Sequence, residues 1–137
     1  AMDGDLGNSL NECLLFHGTS FEIAKKIAQD GFDFRVANDK GYYGKGTYFA
    51  SQACKSAQYG TANSLSLKCM IIARVMAGHP HFPVACRSRY VKPPDGADSV
   101  VARPGPMKGH HSDWQTHLEV VIFDNRAAYP EFILLYR

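Results

Sequence analysis

The order of the predicted elements indicates an α+β domain with antiparallel or mixed sheets. Two helical stretches lie in the first half of the chain, and five or six apolar or β-branched runs are spread over its length. These runs do not alternate with helices in a βαβ rhythm, which disfavours a doubly wound sheet. With 137 residues and 45% hydrophobic content, the chain is large enough for one domain with its own core.

The first predicted strand, Glu12–His17, leads into the best-defined helix. Ser20 has the chemistry of an N-cap, apolar residues then recur at helical spacing through about Asp30, and Gly31 follows as a C-terminal stop. We expect residues 1–10 to form a tail, with its opening Ala-Met left over from cloning, and residues 11–137 to form the domain.

The rest of the chain is predicted to contain mostly loops and strands. Periodicity is lost at residues 32–43, which we expect to form a loop, and residues 79–97 contain four prolines and cannot form a long regular element. The remaining strands are predicted, in order, at residues 67–76, 98–102, 118–123 and 129–135, the last two separated by turn residues at 124–126.

Charge and cysteine content exclude several classes of partner. The net charge of +2 is close to neutral and the charges are scattered, so we expect neither nucleic acid nor a membrane as partner. The sequence has no apolar run long enough for a membrane span and no secretory signal. Cys13, Cys54 and Cys69 stand in apolar or helical context typical of buried thiols, which favours an intracellular location, cytoplasmic or nuclear. We expect a monomer.

The stretch on which the function is expected to depend is residues 44–59. Two glycines precede a β-prone run, Thr47–Phe49, after which Ser51 has the chemistry to cap a second helix. On that helix Ser56 and Tyr59 are three residues apart and share a face. The strand and the helix can therefore present Tyr48, Ser56 and Tyr59 to one cleft, which would suit an aromatic amide.

Five motifs, in the family's order, resemble the catalytic domain of the poly(ADP-ribose) polymerase family. They span Leu14 to Tyr136 and read His17-Gly18-Thr19, Tyr43-Gly44-Lys45-Gly46-Thr47-Tyr48-Phe49-Ala50, Lys55-Ser56-Ala57-Gln58-Tyr59, Pro93-Pro94-Asp95-Gly96-Ala97-Asp98-Ser99-Val100, and Glu119-Val120-Val121-Ile122-Phe123 with Ala128-Tyr129-Pro130-Glu131-Phe132. The resemblance implies two packed antiparallel sheets with flanking helices and an NAD+ cleft. It also implies an NAD+ ADP-ribosyltransferase that cleaves the nicotinamide–ribose bond and transfers ADP-ribose to protein acceptors, and it is compatible with elongation to poly(ADP-ribose).

The resemblance further implies a catalytic triad of His17, Tyr48 and Glu119. Glu119 would bond the nicotinamide ribose, stabilise an oxocarbenium-like transition state and polarise the acceptor. The implied NAD+ contacts are His17 and Thr19 at the adenosine ribose, Gly18 and Ser56 at the carboxamide, Tyr48 and Tyr59 on the two sides of the nicotinamide ring, and Tyr43.

Each of these residues has an ordinary structural interpretation when it is taken alone. A histidine that ends an apolar strand is more often part of the core, and a glutamate that begins a strand often faces solvent. The order of the motifs favours the functional interpretation of the set. Glu131 also lies in a C-terminal motif, but the run Glu-x-Val-Ile-Phe places the carboxylate at Glu119, and we interpret Glu131 as structural. Lys45 and Lys55 flank the cleft, where solvated lysines are the ordinary case.

We predict no metal site. The pairs His79 and His81, and His110 and His111, lack the spacing typical of zinc ligands. One branch of the family, the tankyrases, carries a small zinc site, but residues 60–66 of this chain contain no ligand residue for it.

Four alternatives to the main hypothesis stay open. They are a transferase that adds only a single ADP-ribose unit, an NAD+ glycohydrolase, a non-catalytic module that binds NAD+ or ADP-ribose, and an RNA 2′-phosphotransferase of related fold, which relies on basic residues in place of the glutamate. The first predicted strand begins as early as Glu12, so we do not expect activation by DNA breaks through a preceding helical domain.

Overall fold

The computed structural model describes residues 11–36, 41–87, 89–109 and 114–137. The predicted tail at residues 1–10 lies outside these ranges, as do residues 37–40 of the predicted loop and the pair His110 and His111. The described elements are, in order, β1 (Glu12–Thr19), α1 (Phe21–Asp30), a 3₁₀ turn (Phe34–Val36), β2 (Thr47–Ala50), α2 (Ala53–Ala57), β3 (Lys68–Met76), β4 (Pro80–His81), β5 (Ser99–Ala102), β6 (Gly105–Pro106), β7 (Trp114–Gln115), β8 (Glu119–Ile122), a second 3₁₀ turn (Asn125–Ala127) and β9 (Ala128–Tyr136).

The strands form two sheets of unequal size. Seven strands make the larger sheet in the order β4-β5-β8-β2-β1-β3-β9, while β6 and β7 pair with each other. Every strand pair is antiparallel except β4 with β5, which is parallel. The predicted α+β class with two sheets and few helices is therefore confirmed for the part of the chain that the structure describes.

Helix α1 begins and ends where the sequence predicts. The Ser20 side chain accepts a hydrogen bond from the Ile23 N–H at 3.3 Å, and Gly31 takes a φ of +82° while its N–H donates to Ile27 O. A left-handed residue at this position favours glycine, which explains why the helix ends there. Ala24 and Ile27 are buried against the sheet, so the apolar stripe is what holds the helix in place.

The predicted cap of the second helix is wrong. Helix α2 begins at Ala53, and its N-cap residue is Gln52, which makes no side-chain capping bond. The physical reason is that the extended backbone continues past Ala50. The Ser51 N–H still donates to Leu118 O at 3.2 Å, one step beyond the pairing of Ala50 with Glu119, and Gln52 has φ −125° and ψ +133°. The helix therefore begins only at Ala53, and Ser51 lies one residue too early to be its N-cap.

The region from residue 79 to 97 also contains one element that the sequence did not predict. Pro80–His81 forms the short edge strand β4, whose partner is β5. Proline is tolerated in an edge strand because it has no N–H to donate, and an edge strand has a partner on one side only.

Strand β8 lies between two apolar clusters and is buried on both faces. Val120 and Ile122 belong to a cluster with Leu15, Phe49 and Ile71, whereas Val121 belongs to another cluster on the opposite side. This second cluster contains Tyr43, Val100, Ala102, Met107, Val121 and Phe123, with Tyr48 packed against it. The continuous apolar run of β8 is what a strand covered on both faces requires.

Helix α2 packs directly on the end of β1 at Gly18. A side chain at Gly18 would overlap the carbonyl oxygen of Ser56. Glycine is therefore needed here for close approach of two backbones, and this contact fixes where α2 sits relative to β1.

We predict that Gly18→Ala lowers the free energy of unfolding by roughly 3 kcal/mol, because backbone atoms must move apart to admit the methyl group. Gly96→Ala is the matched control, since its φ is +85° but nothing lies near the added methyl group. The control should cost only about 1 kcal/mol, from the left-handed backbone alone. Urea unfolding measures both values, and equal costs for the two variants would contradict the packing argument.

Candidate active site

The pairing of β2 with β8 puts Tyr48 and Glu119 on the same face of the sheet. Ala50 lies opposite Glu119, and Tyr48 lies opposite Val121. Residues that are opposite each other in an antiparallel pair project to the same side, so Tyr48 and Glu119 are diagonal neighbours on one face, a spacing that long side chains can bridge. Two of the three predicted catalytic residues are thus brought together by main-chain pairing.

The Glu119 carboxylate is buried and held by Gln115. Glu119 is only 5% exposed, and Gln115 Nε2 donates to its Oε2 at 3.0 Å. The same amide group donates to His117 O, while Gln115 Oε1 accepts from the Tyr43 hydroxyl at 2.8 Å. Three bonds therefore fix the Gln115 side chain, which in turn fixes the carboxylate. Sequence reasoning missed Gln115, which stands in no pattern that marks it.

The Tyr48 phenol closes the loop that precedes β2. Its hydroxyl accepts from the Tyr43 N–H at 2.9 Å and donates to Gly44 O at 2.8 Å. Burial raises the pKa of Tyr48 well above its ordinary value, and the negative charge of Glu119 acts in the same direction. The phenol is therefore protonated at neutral pH and can donate this bond.

Tyr43 lies beneath the surface of the site. Its side chain is fully buried, and its hydroxyl donates to Gln115. Burial raises its pKa, with further contributions from Cys86 and from Glu119. In this structure Tyr43 supports Gln115, and through it Glu119, from the interior.

His17 is joined to β2 through the main chain of Tyr48. Its Nδ1 lies 2.7 Å from Tyr48 O, and its ring lies near Phe32 and Phe49, with ring centroids 5.3 and 5.5 Å away. A carbonyl oxygen can only accept, so Nδ1 carries the proton. Burial lowers the pKa of His17, although the bond to Tyr48 opposes this. The ring is therefore neutral at pH 7, with a lone pair on Nε2.

Helix α2 and the residues after it provide the other predicted contacts. Ser56 is buried, and its Oγ donates to Phe16 O at 2.9 Å. Tyr59 is 56% exposed, with Lys55 Nζ 5.8 Å from the centre of its ring. Thr19, at the end of β1, is buried, and its carbonyl oxygen accepts from the Cys69 thiol.

Glu131 lies in a different part of the sheet from Glu119. It stands at the irregularity between β3 and β9, where its carboxylate pairs with Arg74. Strands β2, β1 and β3 separate β9 from β8 in the sheet. This environment is consistent with the interpretation of Glu131 as structural, which stays a prediction.

The cysteine expectations need one correction. All four cysteine side chains are thiols, and Cys69 is buried as expected, but Cys54 is exposed. The reason is the position of Cys54 on α2, where Ser56 points into the protein. Residues two apart on a helix lie on nearly opposite faces, so Cys54 faces outward.

The described residues show neither a clustered metal site nor a membrane-spanning helix. They contain no group of three or more His, Cys, Asp or Glu side chains arranged to hold a metal ion. Among these residues there is also no helix with the length and apolar character needed to cross a bilayer. The absence of a zinc site stays a prediction.

Comparison with known proteins identifies the class of this domain. The family model described as the poly(ADP-ribose) polymerase catalytic domain matches residues 5–137. The chain is 32% identical over 135 residues to protein mono-ADP-ribosyltransferase PARP12 of Mus musculus, covering 95% of this chain and 17% of that protein. It is 31% identical over 145 residues to protein mono-ADP-ribosyltransferase PARP11 of Homo sapiens, covering 91% of this chain and 41% of that protein.

The chain therefore belongs to the poly(ADP-ribose) polymerase catalytic domain family, whose members are ADP-ribosyltransferases that use NAD+ as substrate. A third relative, protein mono-ADP-ribosyltransferase PARP3 of Gallus gallus, is 35% identical over 89 residues, which cover 65% of this chain and 17% of that protein. The chain spans less than half the length of each of these relatives.

We predict that the free energy of unfolding falls as the pH drops below about 6.5, and that His17→Gln removes part of this fall. The folded state holds His17 neutral, whereas the unfolded state takes up a proton near the ordinary imidazole pKa. The unfolded state therefore binds more protons below that pH. The slope from one such group is at most about 1.4 kcal/mol per pH unit, until the pH reaches the folded pKa. Urea unfolding between about pH 6.5 and 5 measures it.

His79→Gln is the control for this measurement, because His79 lies just before β4 at the edge of the sheet, whereas His17 lies in the central strand β1. It should keep the wild-type slope. An undiminished slope in His17→Gln would show that His17 is not the group responsible.

Proposed function

We propose that this domain cleaves the nicotinamide–ribose bond of NAD+ and transfers a single ADP-ribose unit to a protein acceptor. The observation that carries the proposal is the buried Glu119 carboxylate, held by Gln115 on the same face as Tyr48. Cleavage of this bond develops positive charge on the ribose. A fixed carboxylate in a partly dry site stabilises such charge far better than one in water.

The carboxamide of nicotinamide would be held by Gly18 and Ser56. Ser56 gives its hydroxyl hydrogen to Phe16 O, so its oxygen still has a lone pair that can accept from the amide N–H₂. Phe16 O is thus directed toward α2. Main-chain groups alternate sides along a strand, so the N–H and C=O of Gly18, two residues on, are directed to the same side. A donor and an acceptor there match both halves of a carboxamide.

The nicotinamide ring would stack on Tyr59, with Tyr48 on its other side. The exposed Tyr59 ring is available for a planar ligand. Stacking of this kind contributes about 0.5–1.5 kcal/mol beyond the burial of area. Lys55, which lies near the Tyr59 ring, would face the solvent side of the ligand.

The adenosine ribose would meet His17. Because Nδ1 donates to Tyr48 O, the neutral ring can accept a ribose hydroxyl hydrogen at Nε2. A protonated His17 could not accept this bond, so the low pKa of His17 favours substrate binding at neutral pH.

Glu119 would act at two moments of the reaction. Its carboxylate accepts a hydrogen bond from a hydroxyl of the nicotinamide ribose and opposes the positive charge as the C–N bond breaks and neutral nicotinamide leaves. The acceptor nucleophile then bonds to the ribose carbon and gives up its proton, which Glu119 can take. The Gln115 bond leaves Oε1 of the carboxylate for these tasks.

The relatives support transfer of a single unit. PARP12, PARP11 and PARP3 all carry the name protein mono-ADP-ribosyltransferase, and none of these names supports elongation. The presence of Glu119 remains compatible with elongation, so the product must be measured.

We predict that Glu119→Gln lowers the kcat of nicotinamide release by roughly a hundredfold to a thousandfold, because the shape stays while the charge is lost. The amide oxygen of the new side chain can still accept from Gln115, so NAD+ affinity should change little. The measurement is nicotinamide release from NAD+ at saturating concentration, with NAD+ binding followed by calorimetry.

Glu131→Gln is the matched control, an identical change on β9 that should stay within about threefold of wild type. Unchanged turnover in Glu119→Gln would overturn the assignment of the glutamate. A wild-type chain that binds NAD+ without turnover would be a binding module, and release of nicotinamide without label on protein would indicate a glycohydrolase.

We predict that the chain, incubated with NAD+ labelled in its adenine, gives one sharp labelled band per acceptor protein on a denaturing gel. Attachment of a single unit adds a small, fixed mass. A ladder or smear that grows with time, and is lost in Glu119→Gln, would instead mean chain elongation and would contradict the single-unit proposal.

A further inference from the structure

An exposed cysteine and a histidine meet beside the candidate active site. Cys54 Sγ lies 3.4 Å from His117 Nε2, although the two residues are 63 positions apart in the chain. His117 Nδ1 lies 2.8 Å from the Thr116 hydroxyl. A thiol, an imidazole and a group that orients the imidazole are the three parts of an activated sulfur nucleophile.

The imidazole is the nearer of two acceptors for the thiol hydrogen. Gln52 Oε1 lies 3.8 Å from Sγ, against 3.4 Å for His117 Nε2. When the proton moves to Nε2, Nδ1–H can donate to Thr116 and Nε2–H to the sulfur. The resulting imidazolium favours the thiolate, which is the reactive form of cysteine.

The other three cysteines are more buried than Cys54. Burial raises the pKa of the Cys69 and Cys86 thiols, which disfavours their thiolates. The Cys13 thiol is partly buried in β1 and lies 3.9 Å from Val75 O, an acceptor that cannot take a proton. Cys54 combines an exposed thiol with a contact to a base.

The pair also connects the two halves of the candidate site. Cys54 is on α2, two residues before Ser56, and His117 is two residues before Glu119. His117 O accepts from the same Gln115 amide group that holds the Glu119 carboxylate. A group added to Sγ would replace the thiol hydrogen and disrupt this contact between α2 and the segment before β8.

We propose that Cys54 is a nucleophilic modification site that takes small disulfides, and that the adduct lowers turnover at the neighbouring site. His117 Nε2 takes the thiol proton, and the thiolate attacks one sulfur of the disulfide. The new Sγ–S bond forms as the old S–S bond breaks, and the departing thiolate takes the proton. The Cys54 sulfur is oxidised and the departing sulfur is reduced, so no other reactant is needed. The effect on turnover rests on the proposed function.

We expect Cys54 to react with the aromatic disulfide dithiobis-nitrobenzoate at least roughly tenfold faster than any other cysteine of the chain. The whole reduced chain is mixed with the reagent, the released thiol is followed by absorbance, and peptide mass mapping identifies the modified residue. The fast phase should vanish in Cys54→Ser and should slow about tenfold in His117→Gln.

His79→Gln is the matched control and should react at the wild-type rate. A fast phase that survives in Cys54→Ser, or a Cys54 rate that is unchanged in His117→Gln, would overturn the assignment. Thermal unfolding of each variant separates loss of the base from loss of the fold.

The coupling is tested with the glutathione adduct at Cys54. We expect nicotinamide release to fall at least fivefold on modification, to recover with dithiothreitol, and to be insensitive to the disulfide in Cys54→Ser. Retained turnover of the modified chain would overturn the coupling. If even the unmodified chain releases no nicotinamide, the proposed function fails. The rates with the aromatic disulfide still test the reactivity of Cys54 in that case. The coupling is then tested by comparing the NAD+ affinity of the adduct with that of the unmodified chain, and equal affinities would overturn it.

Discussion

The pairing of β8 with β2 on one side and β5 on the other is the constraint on which the site depends. β8 is buried on both faces, so its register cannot slip without moving Val120 and Val121 into the wrong clusters. The same register sets Glu119 opposite Ala50 and therefore on the face of Tyr48. Packing of Val120 and Val121 thus fixes the position of the Glu119 carboxylate, although neither valine has a role in the chemistry we propose.

A second close contact positions the opposite wall of the cleft. The absence of a side chain at Gly18 lets the backbone of α2 approach β1, and Ser56 then bonds Phe16 O. The helix is only five residues long and lacks a side-chain cap, so it is held by these tertiary contacts and not by its own propensity. The nicotinamide side and the carboxylate side of the site are consequently built by different parts of the sheet, and Gln115 and His117 lie between them.

Local features were predictable where local physics decides them. The Ser20 cap, the apolar stripe of α1 and the Gly31 stop are each contained within a few residues, and all three are found. Ser51 shows the limit of such reasoning. Its N–H donates a hydrogen bond to Leu118 O, and no local pattern places Leu118 nearby. The short strand at Pro80–His81 is another case, since a two-residue strand exists only when a partner strand lies beside it.

The sequence by itself determined the α+β class, the main helix, most strands and the family, because periodicity, capping residues and motif order are properties of neighbouring positions. The tertiary structure alone decided that Gln115 holds Glu119, that Tyr43 lies beneath the site, and that Cys54 is exposed and meets His117. These contacts join residues from separate strands, loops and helices. Their geometry follows from sheet order and packing, which depend on the whole core at once and leave no trace in the spacing of any single segment.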